Sequence, residues 1–180
     1  MNKKIAILRG INVGGKRKIL MADLRSLCEK SGMKEVQTYI QSGNVIFEAD
    51  KSLSDIEWAD KLAQAITKQY GFEVPVIVFP AKQLAKIIQQ NPFYEKEKTD
   101  ITHLHLTYLK EKPTKENRVT TEVYNYEPDR FVIRNQAVFI YCEGKYHKSK
   151  LTNTFFEKKL KVPATTRNWK TVLKLVELSS

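Results

Sequence analysis

Gly10-Ile11-Asn12-Val13-Gly14-Gly15-Lys16-Arg17-Lys18 is the stretch whose residue types come nearest to a chemical task. An apolar run ending at Leu8 feeds it, and Arg9 stands at the junction. Glycine permits positive φ and close approach of backbone to a ligand. Such a loop can aim N–H groups at an anion while Arg9, Lys16, Arg17 and Lys18 supply charge. The loop lacks the Gly-Lys-Ser/Thr ending of a Walker phosphate loop and the third spaced glycine of a dinucleotide fingerprint. Anion binding through Arg9, Asn12, Gly14, Gly15 and Lys16 is the expectation. The plain alternative is a turn that needs Gly14-Gly15 for their φ angles.

Three further clusters offer partners for such a site. Gln41-Ser42-Gly43-Asn44 reads as a hairpin tip whose Gln41 and Asn44 amides can meet a polar ligand, although turn geometry alone accounts for Asn and Gly there. Lys145, His147, Lys148 and Lys150 lead into a helix opened by Thr152 and Asn153. Thr165-Thr166-Arg167-Asn168 stands before Trp169 and reads as the start of the last helix. Capping explains the Thr and Asn residues. Arg167 is not so explained, because a cation is disfavoured at a helix N-terminus unless an anion sits there. The helical spacing of Trp169 with Val172 and Val176 places it in a core. Over residues 141–180, nine Lys and Arg face three Glu, which concentrates basic charge at this end.

The histidines carry the one enzyme reading. His105-Leu106-Thr107 and His147-Lys148-Ser149 both match the His-x-Ser/Thr element that two-histidine phosphoesterases use twice. There the imidazoles act as base and acid across a phosphate and the hydroxyls hold its oxygens. Against it, Ser149 is followed by Lys150 where an apolar residue is usual. His103 and His105 alternate on one strand face, but a zinc site needs three or four ligands and no third stands at suggestive spacing. No metal and no cofactor is expected.

The elements that must position these residues follow from periodicity. Lys3 to Arg9 reads as a buried strand. Leu20, Leu24, Leu27 and Cys28 keep helical spacing up to Gly32. Val36–Gln41 and Val45–Glu48 form a hairpin, and Ser54-Asp55-Ile56-Glu57 is a capping box ahead of a helix that closes at Gly71. Phe72–Phe79 is a fourth strand, with Pro75 marking a sheet edge. This βαββαβ order predicts a ferredoxin-like subdomain. Ala81–Gln90 is a trailing helix, and the charged stretch 94–100 marks a boundary. The expected division is 1–90 and 100–180. The second half reads as strand 102–109, a short helix from Pro113-Thr114, strands 122–126, 130–134 and 137–142, then helices 151–160 and 169–178. The fold class is α+β, a ferredoxin-like first subdomain packed with a second α+β subdomain.

Composition bounds the rest. With 180 residues, 42% hydrophobic, the chain can bury a real core. Its formal net charge of +11 favours phosphorylated or polyanionic partners. Cys28 and Cys142 are too few for a disulfide framework and read as buried thiols. No segment has signal-peptide or membrane-span character, which predicts a cytoplasmic protein without a membrane partner.

Four blocks, Leu8–Lys16, Thr38–Val45, Lys148–Asn153 and Ala164–Trp169, together resemble a bacterial family of small cytosolic proteins that carries a domain-of-unknown-function label. The resemblance implies two α+β subdomains with a ferredoxin-like first half and brings no activity, cofactor or catalytic residue. The chain departs from the pattern at Lys161, where glycine is favoured. The functional expectation is a phosphorylated or anionic ligand, a nucleotide or RNA, held in a composite basic site. To the residues above the site adds Gln41, Asn44, Lys148, Lys150, Asn153, Arg167 and Asn168. The alternatives are a phosphoesterase-like enzyme using His105 and His147, and a structural protein with no small-molecule site.

Overall fold

An alternation of short apolar strands and amphipathic helices runs twice through residues 2–180, which the computed structural model describes. The chain divides into two units, Met1–Ala85 with Leu175–Ser180, and Lys86–Lys174.

The first unit contains β1 (Asn2–Leu8), α1 (Met21–Lys30), β2 (Lys34–Tyr39), β3 (Asn44–Ala49), α2 (Asp55–Tyr70) and β4 (Val76–Pro80). Its sheet has the order β2-β3-β1-β4 with every neighbouring pair antiparallel, the ferredoxin-like arrangement. Ala6, Leu8, Val45 and Phe47 join Leu24, Leu27, Leu62 and Ile66 in one core. The Phe47 ring meets Trp58 edge-on at 5.9 Å. Ile5 and Ile7, which alternate with Ala6 and Leu8, are also fully buried. A strand covered on both faces explains why the second half of β1, Ile5 to Leu8, is an unbroken apolar run. Local signals fix the ends of α2. Ser54 and Glu57 make the reciprocal capping box, and Gly71 closes the helix at φ 73°. Pro75 stands just before β4, which is an edge strand.

The second unit contains β5 (Leu104–Leu109), α4 (Lys115–Glu122), β6 (Arg130–Arg134), β7 (Ala137–Tyr141), α5 (Asn153–Leu160) and β8 (Ala164–Asn168). Its sheet order, β6-β7-β5-β8, repeats that of the first unit strand for strand. Each fourth strand also runs without a linker into a helix, α3 (Ala81–Ile88) after β4 and α6 (Trp169–Ser179) after β8. The topology is therefore duplicated where no sequence repeat is visible.

Two expectations fail in this unit. The segment 122–126 is not a strand. Thr114 caps α4 through Asn117 N, the helix runs to Glu122, and the chain then turns, with Tyr124 N donating to Thr121 O. Tyr124 and Tyr126 meet Phe155 edge-on at 5.5 and 5.4 Å. Nor do Thr165–Asn168 open the last helix. They form edge strand β8 against β5, with Leu106 opposite Arg167 and Thr107 opposite Thr166. The strand is five residues long and passes straight into α6, so no turn residue announces it.

Candidate functional site

The glycine loop is a small hairpin. Asn12 N donates to Arg17 O at 3.2 Å and Lys16 N to Val13 O at 3.0 Å. Gly14 and Gly15 sit between at φ 57° and 73°, the two positive angles of a type I′ turn. A Cβ on either glycine would meet nothing within 4 Å, so they serve backbone conformation rather than close packing. The turn ends well before α1, whose N-cap is Leu20, so its amides do not join the helix terminus as the anion-loop reading supposed.

Asn12 fixes this hairpin to the core. Its Nδ2 donates to Ile19 O and to Gln41 O, both at 2.9 Å, and its Oδ1 accepts from Ile19 N at 2.9 Å. The bond to Gln41 ties the first sequence block to the second. In that second block Gly43 lies at φ 83°, where a Cβ would come within 2.7 Å of Ile11 Cδ1 and 2.9 Å of Leu8 Cβ. Leu8 N donates to Gly43 O at 2.8 Å. Asn44 is buried and its Nδ2 donates to Tyr39 O and Ser42 Oγ. The carboxamides of Asn12 and Asn44 are thus engaged in holding the loops. Lys16, Arg17, Lys18 and the Gln41 side chain are exposed. Among the described residues, none of the three cations forms an ion pair.

In the second unit, Thr152 caps α5 by accepting from Phe155 N, and Asn153 Oδ1 accepts from Thr166 Oγ1 at 2.7 Å. Thr166 Oγ1 lies 2.7 Å from Thr107 Oγ1, which completes a polar chain across β8 and β5. Asn168 Oδ1 accepts from Thr171 N at 2.8 Å and caps α6. Arg167 projects from β8 and is only 8% exposed, and burial lowers its guanidinium to about 10. Its Nη1 donates to Thr166 O at 3.1 Å. Arg167 therefore belongs to strand β8, one residue before the Asn168 cap of α6, and is buried rather than presented to solvent.

Lys148 and Lys150 do line a concave site. A cavity of about 480 Å³ lies between Asn125–Asp129 and Lys148–Lys150. Asp129 holds its walls together, with Oδ1 accepting from Glu143 N at 3.0 Å and Oδ2 from Ser149 Oγ at 2.6 Å. The Lys150 ammonium stands 5.6 Å from the centre of the Tyr126 ring. Neither lysine forms an ion pair among the described residues. Sequence reasoning missed Asn125 and Tyr126, because it assigned them to a strand, and Glu127 beside them.

His105 lies on β5, nearly buried, with its ring stacked on Tyr146 at 4.5 Å and its Nδ1 without a hydrogen-bond partner. Burial lowers its pKa and favours the neutral imidazole. His147 sits in an exposed 3-10 turn, 146–148. The two hydroxyls of the paired elements are engaged, Thr107 with Thr166 and Ser149 with Asp129. His103 is in a 3-10 turn rather than on the strand. Its Nδ1 lies 2.7 Å from Cys142 O, and its ring stacks on Tyr141 at 5.3 Å. Among the described residues no group of three His, Cys, Asp or Glu is arranged to hold a metal, and no helix is long and apolar enough to cross a membrane.

Comparison with known proteins agrees with this architecture. The conserved bacterial protein SP0830 from Streptococcus pneumoniae superimposes with a TM-score of 0.78 over 99% of each chain, at 23% sequence identity, which shows a shared fold. No curated protein matches the chain. Residues 1–139 match the family model described as protein of unknown function, DUF1697. The chain belongs to the DUF1697 family.

Proposed function

We propose that the protein binds a small phosphorylated ligand, a nucleotide in particular, in the cavity between Asn125–Asp129 and Lys148–Lys150. The observation that carries this reading is a pocket of ligand size with two lysines on its wall that have no carboxylate partner among the described residues. A phosphate gives Lys148 and Lys150 the anion they lack. The Tyr126 ring supplies an aromatic surface for a base, and the Glu127 carboxylate an acceptor for sugar hydroxyls or an exocyclic amine. Asp129 positions the walls, because both its oxygens accept bonds from the chain itself.

This reading stops at binding. A paired-histidine phosphoesterase requires hydroxyls free to hold phosphate oxygens, and Thr107 and Ser149 are already bonded within the unit.

Titration calorimetry with a panel of nucleoside mono-, di- and triphosphates tests the proposal. One or more is expected to bind, and Lys150→Ala or Lys148→Ala is expected to weaken it about tenfold, the loss of one charge-assisted hydrogen bond. Absence of binding across the panel, or binding indifferent to both substitutions, would refute it.

A further inference from the structure

Three exposed aliphatic side chains adjoin in sequence the residues joined by the Asn12 carboxamide. Val13 is 65% exposed, Leu20 69% and Ile40 45%. Val13 follows Asn12 directly. Leu20 follows Ile19 and Ile40 precedes Gln41, the two residues whose carbonyls accept from Asn12 Nδ2. Each of the three therefore adjoins in sequence a residue of the Asn12 hydrogen-bond cluster, Val13 and Leu20 on one loop and Ile40 in the second block.

Folding does not account for this placement. A lone exposed valine or leucine is ordinary, but Ile40 is also held at φ 51°, where a β-branched residue is strained. Glycine or asparagine would make that turn more easily, so the isoleucine is held there at a conformational cost. Lys16, Arg17 and Lys18 lie exposed on the same loop with no ion-pair partner among the described residues. At its tip the amides of Gly14 and Gly15 make no hydrogen bond among the described residues.

We propose that this surface docks an acidic segment of another protein, one with aliphatic side chains between its carboxylates. The carboxylates complement the three cations and can accept from the glycine amides, while the aliphatic groups cover Val13, Leu20 and Ile40. Other polyanions match less of the surface. A single-stranded nucleic acid binds by stacking its bases on aromatic rings, and the three exposed side chains contain none. A lipid surface is gripped by interfacial aromatic anchors or an amphipathic helix and needs no fixed relief. Here two segments are locked together by one asparagine, as a shape-specific partner requires.

Selection from a displayed random-peptide library on the 180-residue chain is expected to enrich sequences that mix Asp and Glu with Leu, Ile and Val. A synthetic peptide of the enriched sequence is then the probe. Ile40→Gly removes the aliphatic group at a φ that glycine adopts freely, so it should preserve or raise Tm while weakening the peptide at least tenfold. Lys16→Glu combined with Arg17→Glu should weaken it by at least as much. The proposal is overturned if no acidic-aliphatic sequence is enriched, or if peptide binding ignores Ile40→Gly. Anionic phospholipid vesicles and a single-stranded RNA oligomer serve as parallel probes. Binding of either that depends on Ile40, with no peptide bound, overturns the proposal in favour of that class. The nucleotide cavity is in the other unit, so its binding should be unchanged in Ile40→Gly, and each proposal can fail alone.

Discussion

Asn12, Gly43 and His105 show what a single residue settles in this protein. Asn12 was a candidate ligand donor, and its carboxamide instead makes three hydrogen bonds within the fold. Gly43 looked like turn chemistry, and its lack of a Cβ also lets the second block close onto Leu8 and Ile11. His105 has a pH consequence. Its pKa is lowered in the folded protein because burial disfavours the imidazolium. The unfolded chain therefore takes up a proton first as pH falls. Stability from this group is complete above its ordinary value, near 6.5, and is lost as pH drops through the lower folded value. His105→Phe keeps an aromatic ring against Tyr146 and removes the titration. Thermal unfolding of the variant is expected to depend less on pH between about 7 and 5 than wild type. An unchanged pH dependence would show that His105 is not a source of acid sensitivity.

At the scale of the element, helix and strand ends explain both the family pattern and its exception. Lys161 is the C-cap of α5 and lies at φ 60°, in the left-handed region. That conformation is why glycine suits the position, and lysine holds it at a cost. Lys161→Gly is expected to raise stability by about 1 kcal/mol, read as an increase in Tm or denaturant midpoint. A loss of stability would mean that contacts of the lysine stem outweigh the backbone strain. The failures at 122–126 and 164–168 have the same origin at this scale. Val123-Tyr124-Asn125-Tyr126 has strand-like alternation, but its rings are drawn to Phe155 across space. Ala164–Asn168 is short and runs directly into a helix, and only pairing with β5 makes it a strand.

On the scale of the whole molecule, a net charge of +11 sits on two units of one topology. Such an excess raises the local concentration of anions around both units, whatever the particular site. Affinity for a nucleoside triphosphate is expected to fall several-fold as salt rises from about 0.05 to 0.2 M, because the Debye length shortens over that range. Lys150→Ala should keep part of that salt dependence, since the remaining field survives. Binding that ignores salt would reduce the basic excess to a matter of solubility. The likeness to SP0830 over 99% of both chains, with a TM-score of 0.78, agrees with this α+β fold.

The first unit was legible because its signals are local. β1 ends in the apolar run Ile5 to Leu8, α2 carries its own capping box and closing glycine, and Pro75 sits beside an edge strand. The four blocks that resemble the family were likewise readable as residues in order. Their roles were not, because the bonds that assign them join positions far apart in the chain. Asn12 reaches Gln41, Thr166 reaches Asn153, and Ser149 reaches Asp129. The sequence by itself determined the α+β class, the ferredoxin-like first unit and the basic, glycine-containing loops, since these rest on periodicity, composition and turn chemistry. Tertiary structure alone decided that Asn12 and Asn44 are braces, that Arg167 is a buried strand residue, and that Lys148 and Lys150 face a cavity. Whether a polar side chain is spent inside the fold or left for a ligand depends on which distant atoms folding brings within hydrogen-bond reach.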